Sequence, residues 1–292
     1  MGVGAVARKF RLIDEFSVRG MVNVLVLLVT PALIITLFQR PFDVGMLRQF
    51  ALAFAIAIAV HLVLIALAEF FFRCDAHRAT VLKLATVFSN AGFMGIPLEQ
   101  AVLGDLGAFY GVVYIATFNL FMWSYGYGVM KSGSRLALKR TMFVNPGTVA
   151  ILVALPLFLT STQLPFLVRE PVRLLSLLNT PLAMVVIGFY LAGANLKAVF
   201  ADRAALLATL LRLVVSPLLV IAALWPLAAV LDGTMALAMV TASSVPVAAM
   251  TTMFAAKYAR DVELSVGLVS GTTLLSMLTI PATLVIAFAV FS

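Results

Sequence analysis

Nine apolar runs follow one another along this chain with no long polar stretch between them: residues 20–38, 49–72, 79–103, 107–130, 146–167, 174–196, 204–231, 234–256 and 264–291. A helix needs about 20 mostly apolar residues to cross a bilayer's hydrocarbon, whereas a spanning barrel strand needs about 10. The runs have the helical length. Five of the nine carry a Gly or Pro deep inside, which lipid-embedded helices tolerate when neighbours satisfy the freed backbone groups. The expected fold class is an all-α polytopic membrane protein, with residues 1–292 forming a single integral domain and no soluble appendage.

Composition agrees. The chain is 63% hydrophobic and 11% charged, with a mean hydropathy of +1.14, against about 45–50% apolar and about 25% charged in soluble domains. That contrast excludes soluble enzymes, nucleic-acid binders and disordered chains. The net charge of +8 sits in the linkers between apolar runs and reads as membrane-surface charge. A single cysteine, Cys74, cannot form an internal disulfide.

Residues 1–7 are apolar but too short to cross, and Arg8, Lys9 and Arg11 follow at once. The order is wrong for a signal peptide. The segment reads as the last turns of a helix whose beginning lies upstream, so the runs are numbered as spans two to ten. The linkers after the stub and after spans three, five, seven and nine carry 15 Lys and Arg, with Lys83 counted in, against 4 in the other linkers. Under the positive-inside rule the first set is cytoplasmic, and the C-terminus is then outside. Trp123, Tyr125 and Tyr127 fall at the inner end of span five and Trp225 at the outer end of span eight, as interfacial aromatics do.

Two signals recur. Thr30-Pro31 matches Thr180-Pro181 at a separation of 150, and a break ending at Pro97 matches one ending at Pro246 at a separation of 149. Each break is followed by a short apolar stretch and then an acidic linker, at Asp105 and Asp261. The copies run in opposite directions, giving an inverted repeat: residues 1–130 and 145–292 around a cytoplasmic linker at 131–144. Inverted repeats with discontinuous helices belong to secondary transporters, whose site lies at the midplane. The breaks read Ser89-Asn90-Ala91-Gly92-Phe93-Met94-Gly95-Ile96-Pro97 and Ala242-Ser243-Ser244-Val245-Pro246. If both unwind there, the second half of each helix presents an N-terminus to the midplane. Unpaired N–H groups and a partial positive charge of about half a unit suit a carboxylate. Asn90, Gly92, Gly95, Pro97, Ser243, Ser244 and Pro246 are the candidate substrate-binding residues.

With Asn90-x-Gly92-Phe93-Met94-Gly95-x-Pro97, Asn145-Pro146-x-Thr148, Thr180-Pro181-Leu182-Ala183-Met184 and the stretch from Pro246 to Tyr258, the chain resembles the auxin efflux carrier family and its bacterial members. The likeness covers essentially the whole chain. It implies ten helices in two inverted five-helix repeats, with helices four and nine crossing at the substrate site. Plant members export indole acetate, and bacterial members are associated with malate, malonate and similar carboxylates. The resemblance adds Asn145 as a candidate. The chain departs from the family at its N-terminus, where most of the first helix is missing, and a misassigned start is expected.

Other polar residues have ordinary readings. His61, near mid-span, is expected to be a neutral histidine bonded to a neighbouring helix, and His77 to be solvated. Arg212 is expected to snorkel from about two turns inside span eight, and Glu69, Lys83 and Glu99 to pair or to be solvated near span ends. Asn119, Thr272 and Thr273 read as interhelical hydrogen bonders. No Asp or Glu is expected near mid-span, which counts against an acid-relay cation antiporter. A membrane enzyme would need a nucleophile with its base, a carboxylate pair or a metal cluster, and Ser243-Ser244 has no His or Lys close in sequence. The reading is a secondary transporter of small organic anions in a bacterial inner membrane, working by alternating access without a cofactor or metal. Its partners are the anion, the lipid bilayer and a second copy of the chain in a homodimer. The alternative is an ion-coupled symporter of the related bile-acid/sodium type.

Overall fold

The computed structural model describes residues 1–132, 146–193 and 202–291. Asn145 and most of the 131–144 linker lie outside the described residues. The described chain is helical: α1 (Gly2–Lys9), α2 (Glu15–Leu37), α3 (Val44–Phe71), α4a (Ala76–Val87), α4b (91–103), α5 (105–132), α6 (Pro146–Leu159), α7 (Phe166–Leu191), α8 (Arg203–Leu227), α9a (Gly233–Ser244), α9b (Ala249–Lys257) and α10 (Val262–Phe291). Among the described residues, six stretches are long and apolar enough to cross a membrane. The nine sequence runs become six because two of them are broken in the middle, α6 has only 14 residues, and 91–131 is one stretch bent at Gly104.

Aspartates set where the helices begin. Of the chain's seven, Asp14, Asp43, Asp75, Asp202, Asp232 and Asp261 each accept a backbone N–H from the first turn of α2, α3, α4a, α8, α9a and α10. This is the N-cap arrangement, which satisfies donors that a helix start leaves unpaired. Prolines set where the helices loosen. The π-helical turns Leu25–Val29, Ala91–Gly95 and Leu211–Val215 each stop just before a helical segment with proline in its first two positions: Pro31, Pro97 and Pro217. Proline has no N–H to donate and its ring crowds the carbonyl four residues back, so the preceding turn opens. Pro181 falls instead in the first turn of Asn179–Leu191, after a short turn that divides α7, where the missing donor costs little.

The linkers sort by end. Arg78 pairs with Asp202, His77 Nδ1 lies 3.2 Å from the Ala259 carbonyl, and Arg260 donates to the Met130 carbonyl. These contacts gather the linkers before α4a, α8 and α10 at one end. At the other, Gln49 donates to the Val230 carbonyl, the Phe42 N–H to Ser161, and the Leu164 N–H to Gln39. Large apolar side chains such as Leu278, Val285 and Leu167 stand on the outer surface, as lipid-facing positions do.

Side chains pack into two apolar clusters. The larger draws mainly on α3, α4a, α5, α8 and α9a, and the smaller on α2 and α7. The helix breaks lie on the seam between them: Ala91, Val247 and Ala248 belong to the first cluster, and Phe93, Val245 and Ala249 to the second.

Candidate functional site

The two breaks meet. Ser89 and Val247 form an antiparallel bridge, the Asn90 N–H donates to the Pro246 carbonyl at 2.7 Å, and the Ala248 N–H donates to the Phe88 carbonyl at 3.0 Å. The Val247 N–H donates to Thr272 Oγ1 at 3.1 Å, while Thr272 donates to the Leu268 carbonyl of its own helix. Backbone freed from helix pairing thus finds partners inside the protein, as it must at membrane depth. Val245 is extended because a residue before proline is driven out of the helical region.

Both breaks differ in extent from the sequence expectation. In the first, the chain is non-helical only at residues 88–90, since Gly92, Gly95 and Pro97 already lie in the helical turns of α4b. In the second, Ser243 and Ser244 complete α9a, and the non-helical stretch is 245–248. Their hydroxyls donate back to the carbonyls of Val240 and Thr241 at 2.8 and 2.9 Å, a local bond open to any serine in a helix. Neither serine faces the other break with its hydroxyl.

Arg212 corrects a larger expectation. It does not snorkel: its side chain is fully buried beneath the crossover. Nη1 donates to the carbonyls of Thr86 and Val87, at 3.3 and 3.0 Å, and Nη2 to the Ser243 carbonyl at 2.6 Å and to Ser216 Oγ. Tyr114 lies beside it. The carbonyls of Thr86, Val87 and Ser243 are unpaired ends of α4a and α9a, where the helix dipoles place partial negative charge. One guanidinium therefore caps the first halves of both broken helices. His61 departs from expectation too. Its Nδ1 bonds the Ala57 carbonyl of its own helix at 2.8 Å, and its ring stacks on Phe121.

On the opposite side of the crossover lies a cleft of about 630 Å³, counted with its open mouth. Both second half-helices border it with their starts: Asn90, just before α4b, and Gly92 in its first turn, and Ala248, just before α9b, and Met250 in its first turn. Thr30 of α2 and Asn119 of α5 add polar groups. Asn90 does not cap its own helix, and an added Cβ at Gly92 would meet nothing within 4 Å. Gly95, Pro97, Ser243, Ser244 and Pro246 are not on the cleft wall, although Pro246 supports Asn90 through its carbonyl. Pro146 and Gly147 line the wall, while Asn145 lies outside the described residues. Trp123 also lines it and packs on Phe254, and Tyr125 is buried with its hydroxyl on Glu69. Glu69 pairs with Lys83 at 2.9 Å.

Glu99 is the last correction. Among the described residues it is neither paired nor solvated: it is fully buried, and neither carboxyl oxygen has a hydrogen-bond partner. α4b starts at the crossover rather than at the surface, so a residue eight positions in lies about 12 Å along the half-helix. Glu99 is thus buried inside the protein toward the far end of α4b, not at mid-span. Among the described residues, no group of three or more His, Cys, Asp or Glu stands where it could hold a metal ion.

Membrane-length helices around a cleft, bordered by the starts of two half-helices, define an integral membrane transport protein. The chain matches the family model described as membrane transport protein, over residues 1–141 and 134–284. It belongs to that family, the auxin efflux carriers. No curated protein matches it.

Proposed function

We propose that the chain is a secondary carrier for small organic anions, malate- or malonate-like carboxylates, held where α4b and α9b begin. One observation carries this reading: the starts of both half-helices border the same cleft. Helix N-termini offer unpaired N–H groups and partial positive charge, which bind a carboxylate without a basic side chain. The Asn90 amide adds a side-chain donor, Gly92 lets the anion approach the backbone, and Asn119 and Thr30 complete the polar wall. The two half-repeats of inverted topology, 1–130 and 145–292, move against each other along the seam that the breaks occupy. The protein sits in a bacterial inner membrane with its C-terminus outside.

The test is uptake into proteoliposomes from a panel of mono- and dicarboxylates, with binding measured alongside. Losing one hydrogen bond to a charged group costs about 1.5–3 kcal/mol, roughly tenfold to more than a hundredfold in affinity. Asn90→Ala weakens carboxylate binding by that order while the protein still inserts and purifies. Wild-type affinity and uptake in a well-folded Asn90→Ala protein would remove the anion from this place.

A further inference from the structure

We propose that Glu99 is a proton-binding site: its carboxyl group holds a proton in this conformation and releases it to water when α4b leaves its seat, which links transport to proton movement. The linkage rests on the carrier reading above; the protonation does not.

The seat is made of groups that offer a charge nothing. Glu99 lies against Gly95 on its own half-helix and Gly111 on α5, with Ala242 of α9a beside Gly95. A Cβ on Gly111 would overlap the carboxylate, so the acid packs against bare backbone. The side chain is fully buried, and both oxygens lack a donor among the described residues.

No charge reaches it from the elements packed around it. α9a, residues 30–37 of α2, and α6 carry no titratable side chain. Of those on α3, Arg48 is exposed, His61 stacks on Phe121 and Glu69 pairs with Lys83. On α5, the Asp105 carboxylate accepts from Gln100, Tyr110 faces Arg40, Asp43 and Asp232, and Tyr114 lies beside Arg212.

An ionised carboxylate in such a seat carries a desolvation penalty that nothing repays. The neutral acid fits. A hard metal cation does not, because it requires several oxygen ligands at once and the seat supplies only the two of Glu99. On release the O–H bond breaks, its electron pair stays on the carboxylate, and the proton goes to water. Ionisable groups inside membrane helices have such roles in proton relays.

Two measurements on purified protein in lipid vesicles test this, with Glu99→Gln as the neutral variant. The infrared difference spectrum, wild type minus variant at neutral pH, is expected to contain the C=O stretch of a protonated carboxylic acid. A carboxylate stretch in its place overturns the proposal. In the second, a carboxylate is accumulated with and without an imposed pH gradient. The wild type is expected to gain at least tenfold from the gradient and Glu99→Gln nothing. An equal gain in both proteins, or a sodium gradient replacing the pH gradient in the wild type, overturns the linkage. A wild type that moves no carboxylate sinks the carrier reading, and the infrared spectrum still decides the proton. If Glu99→Gln does not fold, Glu99→Met fills the same apolar seat and serves in both measurements.

Discussion

Arg212 and Asn90 sit on opposite sides of one crossover and meet opposite ends of helices. The guanidinium takes the carbonyl ends of α4a and α9a, whereas Asn90 stands at the amide end of α4b. The division follows the helix dipoles, with a fixed cation where partial negative charge collects and an open cleft where partial positive charge does. An apolar side chain at 212 strands buried carbonyls, each costing about 1–3 kcal/mol. Arg212→Met is therefore expected to lower the unfolding free energy by about 3 kcal/mol or more, read from thermal unfolding in detergent. Arg212→Lys keeps the charge but reaches fewer of the acceptors, and is expected to fall between wild type and Arg212→Met. Equal stability in all three would show that the guanidinium does not hold the crossover.

The elements that matter are the half-helices, and three kinds of residue mark them out. Aspartates begin helices, prolines open the turn before them, and one glycine folds the chain back. Gly104, between α4b and α5, has φ +69 and ψ −166, a conformation essentially only glycine adopts, and an added Cβ there would touch nothing within 4 Å. Its cost on substitution is therefore backbone strain alone, about 1–3 kcal/mol. Gly104→Ala is expected to lose that much in a thermal or denaturant unfolding measurement. Gly92→Ala, which has open space and no positive φ, is expected to be as stable as wild type. A loss at Gly92 as large as at Gly104 would show that space, not φ, sets the cost.

At the scale of the molecule, the breaks lie where one packed cluster gives way to the other. A boundary between clusters shifts more readily than the interior of either, because close-packed interiors resist small deformations. The contacts between linkers gather the heavily charged ones at one end, and the carbonyl of Phe291 lies against Gly233 at the other. Under the positive-inside rule the C-terminus is expected outside. A C-terminal reporter active only in the cytoplasm is expected to stay silent, and one active only outside to give signal. The reverse result would invert the topology.

The nine apolar runs, the aspartates that cap helices and the two places where a helix cannot continue are all local properties of the chain. Each depends on hydropathy over some 20 residues or on one residue's backbone chemistry, and so each was legible without a partner. The cleft was half legible. Asn90 and Gly92 are on its wall, while Ser243 and Ser244, given the same role, satisfy their hydroxyls within α9a. Arg212 and Glu99 were misread for one reason. Position along an apolar run gives depth, not which groups a side chain meets inside the protein. α4a and α9a stop inside the protein, and their exposed carbonyls stand level with Arg212. α4b starts there, carrying Glu99 into a seat of glycines from α4b and α5. Which ends meet is a contact between residues more than a hundred positions apart, and only the tertiary structure decided it.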